Sequence, residues 1–137
     1  MFQRLPQILA HFQGQGKIVS AVKLQKEKRV YVFWATWCGP CTLELNRINQ
    51  AIINKEIDSR HIYAVNMGED PVLVKQEMQK RSYQFQSYDD VDNALVKELK
   101  VEVTPTVALV DEKHTLQWIS SGISPTLIYR IQKFLEL

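Results

Sequence analysis

Val30-Tyr31-Val32-Phe33-Trp34-Ala35-Thr36-Trp37-Cys38-Gly39-Pro40-Cys41 is the stretch from which the rest of this 137-residue chain is read. Its first six residues are apolar, rich in β-branched and aromatic types, and bounded by polar segments. That is the pattern of a strand buried on both faces of a mainly parallel sheet. After Cys41 the apolar residues Leu43, Leu45, Ile48, Ile52 and Ile53 recur at helical spacing, so a helix reaching about Glu56 follows the strand directly. Strand, tight junction and helix make half of a βαβ unit.

The same punctuation continues downstream. Residues 61–67 read as a second strand, ending at Gly68-Glu69-Asp70-Pro71, where Asp70 is placed to cap and Pro71 to open a helix running to about Ser82. Phe85 and Tyr88 fall in a short strand, and Asp92 starts a short helix through Leu99. The apolar run 106–111, a turn at Asp111-Glu112-Lys113 and residues 115–119 form a hairpin pattern. Gly122 and Ser124-Pro125 close a loop before a final amphipathic helix, 125–137, with Leu127, Ile128, Ile131, Phe134 and Leu135 on one face. Upstream, the stretches 8–12 and 17–24 flank Gln13-Gly14-Gln15-Gly16 and read as a hairpin or a pair of lead-in strands. The order predicts a three-layer α/β domain, and the length predicts one domain, 1–137.

Composition excludes several classes. With 45% hydrophobic and 23% charged residues and only five Gly and five Pro, the chain is neither disordered nor collagen-like. Its longest wholly apolar run, 30–35, is far short of the roughly 18 residues that span a bilayer. The start, Met-Phe-Gln-Arg-Leu-Pro, has no basic segment followed by an apolar one, so no leader is visible in it. A net charge of +2, with no alternation of basic and aromatic residues, gives no reason to expect nucleic acid as a partner. The charge is uneven: residues 1–29 hold Arg4, Lys17, Lys23, Lys26, Lys28 and Arg29 against Glu27 alone, which reads as a solvated loop or as a docking patch for an acidic partner or anionic lipid.

Both cysteines lie in one CxxC, Cys38 and Cys41, at the junction of strand and helix. Positions i and i+3 of a first helical turn share a face, close enough for a disulfide to open and close with little backbone movement. Cys38 stands where unpaired N–H groups and the positive end of the helix dipole favour a thiolate, which raises its reactivity. Pro40 suits the first turn, because its missing N–H has no partner there. Cys41, one turn in, is expected to be more buried and to attack a mixed disulfide formed at Cys38. The same spacing also serves as half of a zinc site or as an inert structural pair. Zinc requires further ligands, and there is no second CxxC; His11, His61 and His114 are scattered, so no metal is expected. No cofactor is expected either. Phe33 and Trp34 read as core, whereas Trp37 is expected to be partly exposed beside the thiol.

Phe33-Trp34-Ala35-Thr36-Trp37-Cys38-Gly39-Pro40-Cys41 resembles the active-site signature of the thioredoxin superfamily, and Val103-Thr104-Pro105-Thr106 resembles the segment carrying that family's cis-proline opposite the cysteines. The resemblance implies a thioredoxin fold: a central mixed β-sheet flanked by helices. It also implies that Pro105 is cis, and that Thr104 and Pro105 position the substrate strand, with Trp37 shaping the rim and Gly39 and Pro40 completing the substrate contact.

Within the superfamily the chain is similar to the TlpA-like and ResA-like thiol-disulfide oxidoreductases. Sixty-three residues separate Cys41 from Pro105, room for an added helix and strand, and Val65-Asn66-Met67-Gly68-Glu69-Asp70-Pro71 matches that branch's insertion. Glu44 stands where the branch carries an acidic residue, and Val32 occupies the position where cytoplasmic thioredoxins bury an aspartate. Glu44 is therefore the candidate proton acceptor for Cys41, its alternative being an exposed helix carboxylate. Asn46 replaces a proline common in the branch. The resemblance further implies a monomeric reductant of protein disulfides, acting outside the cytoplasm on secreted proteins or apocytochromes. It also implies an upstream thiol donor, free or membrane-bound, that resets it. The alternatives are a disulfide oxidase or isomerase, a non-catalytic redox-dependent binding module, and a cytoplasmic location.

Overall fold

The structure is a computed structural model describing residues 13–14, 17–18, 27–113 and 115–136. In chain order its strands are β1 (Gln13–Gly14), β2 (Lys17–Ile18), β3 (Arg29–Trp34), β4 (Ile62–Asn66), β5 (Gln86–Asp89), β6 (Thr106–Val110) and β7 (Leu116–Ser121). The helices are α1 (Gly39–Ile53), α2 (Pro71–Lys80), α3 (Ala94–Leu99) and α4 (Leu127–Glu136). All described strands join one mixed sheet in the order β2-β1-β5-β4-β3-β6-β7. The pairs β3–β4 and β4–β5 are parallel, and β3–β6 and β6–β7 antiparallel.

Strand β3 lies at the centre, and alternation along it divides the core. Val30, Val32 and Trp34 point to the face covered by α1, α2 and α4, where they pack with Leu45, Ile48, Met78, Leu127 and Ile131. Tyr31 and Phe33 point to the other face, with Tyr63, Leu95 and Leu99, which α3 covers. Every residue of β3 is buried, as expected of a strand sandwiched between helical layers. Burial on the α3 face raises the pKa of Tyr63 to about 12, and that of Tyr31, fully enclosed, higher still.

Boundaries depart from expectation in three places. Helices α1 and α2 end before Glu56 and Ser82, and neither ends on glycine. Lys55 (φ 61°) and Ser82 (φ 55°) take the left-handed conformation instead. Glu56 N–H then donates to Ala51 O and Tyr83 N–H to Met78 O, closing each terminus as a Schellman motif. Helix α3 is not started by Asp92, which sits at φ 57°. The carboxylate of Asp90 accepts instead from Leu95 N and Val96 N, both at 2.9 Å. At the N-terminal edge, β1 falls inside the Gln13–Gly16 stretch expected to be the turn: Gln13 pairs with Ile18 and, on its other side, with Asp89. Residues 8–12 and 19–24 lie outside the described residues.

Two members of the basic N-terminal set are structural rather than solvated. Lys28 donates to Phe134 O at 3.0 Å, and Arg29, fully buried, donates to Glu27 O and the Tyr31 hydroxyl. Arg4, Lys23 and Lys26 lie outside the described residues. Among the described residues, no helix is long and apolar enough to cross a membrane.

Candidate active site

Strand β3 delivers the chain to the C-terminal edge of the sheet, where a tight turn, Cys38 N–H to Ala35 O at 3.2 Å, leads into α1. Cys38 is the N-cap: its Sγ accepts from Cys41 N–H at 3.2 Å, engaging one of the orphan donors of the first turn. Pro40 occupies that first turn without loss of a hydrogen bond. The two cysteines are joined as a disulfide with a Cα separation of 5.2 Å. Cys41 is wholly enclosed and Cys38 nearly so, at 5% exposure, while Gly39 and Pro40 are exposed and Trp37 stands out at 77%.

The second motif lies against the first. Thr104-Pro105 is a cis peptide, and Thr104 O lies 3.7 Å from Cys38 Sγ. Pro105 is buried, and its carbonyl accepts from Gly122 N–H at 2.7 Å. Val103 and Ile123, 54% and 46% exposed, flank this loop pair.

Glu44 is not an exposed helix carboxylate; its side chain is fully buried. One oxygen accepts from Arg47 at 2.8 Å, the other from Ser124 N–H at 3.3 Å, and neither bonds a cysteine. Arg47 also donates to Ser124 O and Pro125 O, so the pair fastens α1 to the loop ahead of α4. Val32 is buried in the core. Asn46 accepts from the Tyr83 hydroxyl at 2.7 Å. His61 contacts Lys28 O through Nδ1, and among the described residues no three His, Cys, Asp or Glu side chains converge on a metal position.

Sequence reasoning missed one layer of the site. Thr36, two residues before Cys38, has all its polar groups engaged. Its N–H and hydroxyl donate to the Glu69 carboxylate at 2.7 and 2.5 Å, and its carbonyl accepts from Arg81 at 3.0 Å. Burial pushes the Glu69 carboxyl up, but the hydrogen bonds from Thr36 and Asn66 and the Arg81 charge outweigh it, so Glu69 titrates below its usual range. Its only signal in the sequence was membership of the insertion segment.

The Redoxin family matches residues 3–131, nearly the whole chain and all of the site just described. This chain belongs to the Redoxin family. Among known proteins the Redoxin chain is 28% identical over 90 residues to "Thiol-disulfide oxidoreductase ResA" of Geobacillus kaustophilus, a match covering 66% of this chain and 52% of that protein. The chain thus spans about half the length of that relative. In structure it superposes on the exposed lipoprotein thioredoxin Etrx1 of Streptococcus pneumoniae with a TM-score of 0.73 and 21% identity, covering 92% and 97% of the two chains. A putative thiol:disulfide interchange protein DsbE from Chlorobium tepidum gives 0.72 and 19%, covering 99% and 92%. The Redoxin chain has the thioredoxin fold, with the β1–β2 hairpin at one edge and α2, β5 and α3 between β4 and the cis-proline.

Proposed function

We propose that this chain is a thiol-disulfide oxidoreductase that reduces protein disulfides, with Cys38 as nucleophile and Cys41 as resolving thiol. One observation carries the reading: Cys38 Sγ caps α1 and accepts the Cys41 N–H, so a thiolate there is stabilised by a hydrogen bond and the helix dipole. The Cys38 thiolate attacks one sulfur of a substrate disulfide, forming a mixed disulfide and releasing the first substrate thiolate. Cys41, deprotonated, then attacks Cys38 Sγ, which closes the Cys38–Cys41 disulfide and releases the second substrate thiolate. The pair ends oxidised by two electrons, the substrate reduced by two, and a dithiol donor reverses the change.

Thr104 and Pro105 position the substrate strand, Trp37 forms the exposed rim, and Gly39 and Pro40 keep the approach to Cys38 open. Glu44 accepts the Cys41 proton after breaking one of its two bonds. We place the protein outside the cytoplasm as a monomer, acting on exported protein substrates, apocytochromes among them, with a membrane-bound dithiol as donor. The name of the ResA relative supports the activity, and the description of Etrx1 as an exposed lipoprotein supports the location.

The test is disulfide exchange by purified protein. Cys38→Ser abolishes insulin disulfide reduction, and Cys41→Ser accumulates a mixed disulfide. The pair equilibrates near the thioredoxin value, about −270 mV. A potential of about −120 to −180 mV makes it an oxidase or isomerase, and retained reduction by Cys38→Ser refutes the assignment of the nucleophile.

A further inference from the structure

Helix α2 is pinned to the redox loop at both ends. Glu69, just ahead of its N-cap Asp70, and Arg81, its C-cap, grip the same residue from opposite sides. Glu69 takes the N–H and hydroxyl of Thr36, and Arg81 donates to the Thr36 carbonyl at 3.0 Å and to Thr42 Oγ1 at 3.3 Å. Thr42 in turn donates to the Cys38 carbonyl at 3.3 Å. Both clamps are themselves held. Asn66, buried at the end of β4, donates to Glu69 Oε1 at 2.8 Å and accepts from Glu69 N–H at 2.9 Å. The Arg81 guanidinium lies 5.7 Å from the Trp34 ring and 6.0 Å from that of Tyr83, with Glu77 at 3.8 Å.

The four residues from Ala35 to Cys38 have left the sheet; their backbone bonds are Cys38 N–H to Ala35 O within the segment and Thr42 N–H to Cys38 O, which ties only its last residue to α1. Cys38 Sγ must nevertheless stay aligned with Cys41 N–H and beside Thr104 O. A displacement of about 1 Å at a reacting atom lowers a rate by about a hundredfold, so whatever holds this segment governs the chemistry.

We propose that Glu69 and Arg81 are positioning residues of the redox site, acting through Thr36 to hold Cys38 in its attacking geometry. This inference rests on the oxidoreductase reading. It makes the inserted helix a brace for the nucleophile rather than only a cover for the sheet. The two arms act on one segment, so their effects on turnover are not additive.

The test measures insulin reduction, as kcat and KM, by the full chain and by Glu69→Ala, Arg81→Ala, the double variant, Glu69→Gln, Arg81→Lys and Thr36→Val, each checked for cooperative melting. Expected is a loss of kcat of about tenfold or more in each alanine variant with KM little changed, and a double variant hardly worse than the worse single. Glu69→Gln, which keeps an acceptor, recovers most of the rate. Arg81→Lys does not, because an ammonium lacks the planar fork that reaches both Thr36 O and Thr42 Oγ1. Should an alanine variant fail to fold, Thr36→Val, which exchanges the hydroxyl for a methyl and keeps the N–H and carbonyl contacts, carries the test with a smaller fall in kcat in the same direction and KM again little changed. Wild-type kcat in the folded variants, or fully multiplicative effects in the double, overturns the inference while leaving the oxidoreductase reading intact. A wild-type protein without disulfide exchange overturns both.

Discussion

Glu44→Ala separates a buried cross-link from a solvated helix carboxylate. The side chain is fully enclosed and links Arg47 of its own helix to Ser124 N–H. Removing its buried methylene costs about 0.8 kcal/mol. Ser124 N–H loses a charged acceptor, and such a bond contributes about 1.5–3 kcal/mol. Arg47 is different: at 32% exposure it turns to water and keeps the carbonyls of Ser124 and Pro125, so its loss is that of a surface pair, about 0.5 kcal/mol. Together the variant loses about 3 kcal/mol, which in a chain of this size lowers Tm by about 10 °C. Urea unfolding of the oxidised proteins, compared at equal m-value, reads the difference. Glu44→Gln keeps the volume and one acceptor oxygen and loses about 1 kcal/mol. If Glu44→Ala unfolds within about 0.5 kcal/mol of wild type, the burial and both bonds assigned to this carboxylate are refuted.

Two further outcomes follow from the caps and turns. Asp90→Ala, which strips both acceptor contacts from the start of α3, destabilises by about 1 kcal/mol, whereas Asp92→Asn stays within about 0.5 kcal/mol; the reverse order in denaturant midpoints returns the cap to Asp92. In the β6–β7 turn, Asp111 accepts from Lys113 N, Thr115 N and Gln117 Nε2, and these bonds outweigh burial and hold its carboxyl below 3.8. A lowered native pKa means stability that is present above 3.8 and lost as the pH falls through the native value, because the unfolded chain binds the proton first. Wild type is therefore more stable than Asp111→Asn at neutral pH, and the gap narrows in acid; a gap that widens on acidification contradicts the sign.

Much of this protein was legible because its signals are local. Continuous apolarity over β3 and a CxxC at the helix start specify strand, turn and α1 from neighbouring residues alone. Asp70-Pro71 announced α2 for the same reason, since an N-cap and a first-turn proline act within four residues of each other. Even the facing of Pro105 and Cys38 was accessible, but through resemblance rather than through physics.

The helix ends were not legible. Lys55 and Ser82 close α1 and α2 where glycine is the usual signal, and a left-handed lysine or serine cannot be told from any other surface residue in a sequence. Nor was the burial of Glu44, which depends on a loop 80 residues away. The clamp on Thr36 is the clearest case: its partners are 33 and 45 residues distant and on either side of a helix, with no spacing rule to join them. Periodicity, capping and the helix dipole operate over one or two turns, so the sequence by itself determined the strand–CxxC–helix unit and its nucleophile. Which carboxylate is buried was decided only when the loop ahead of α4 closed over α1, and which charges hold the nucleophile still only when parallel pairing of β3 with β4 brought the ends of α2 beside the redox loop.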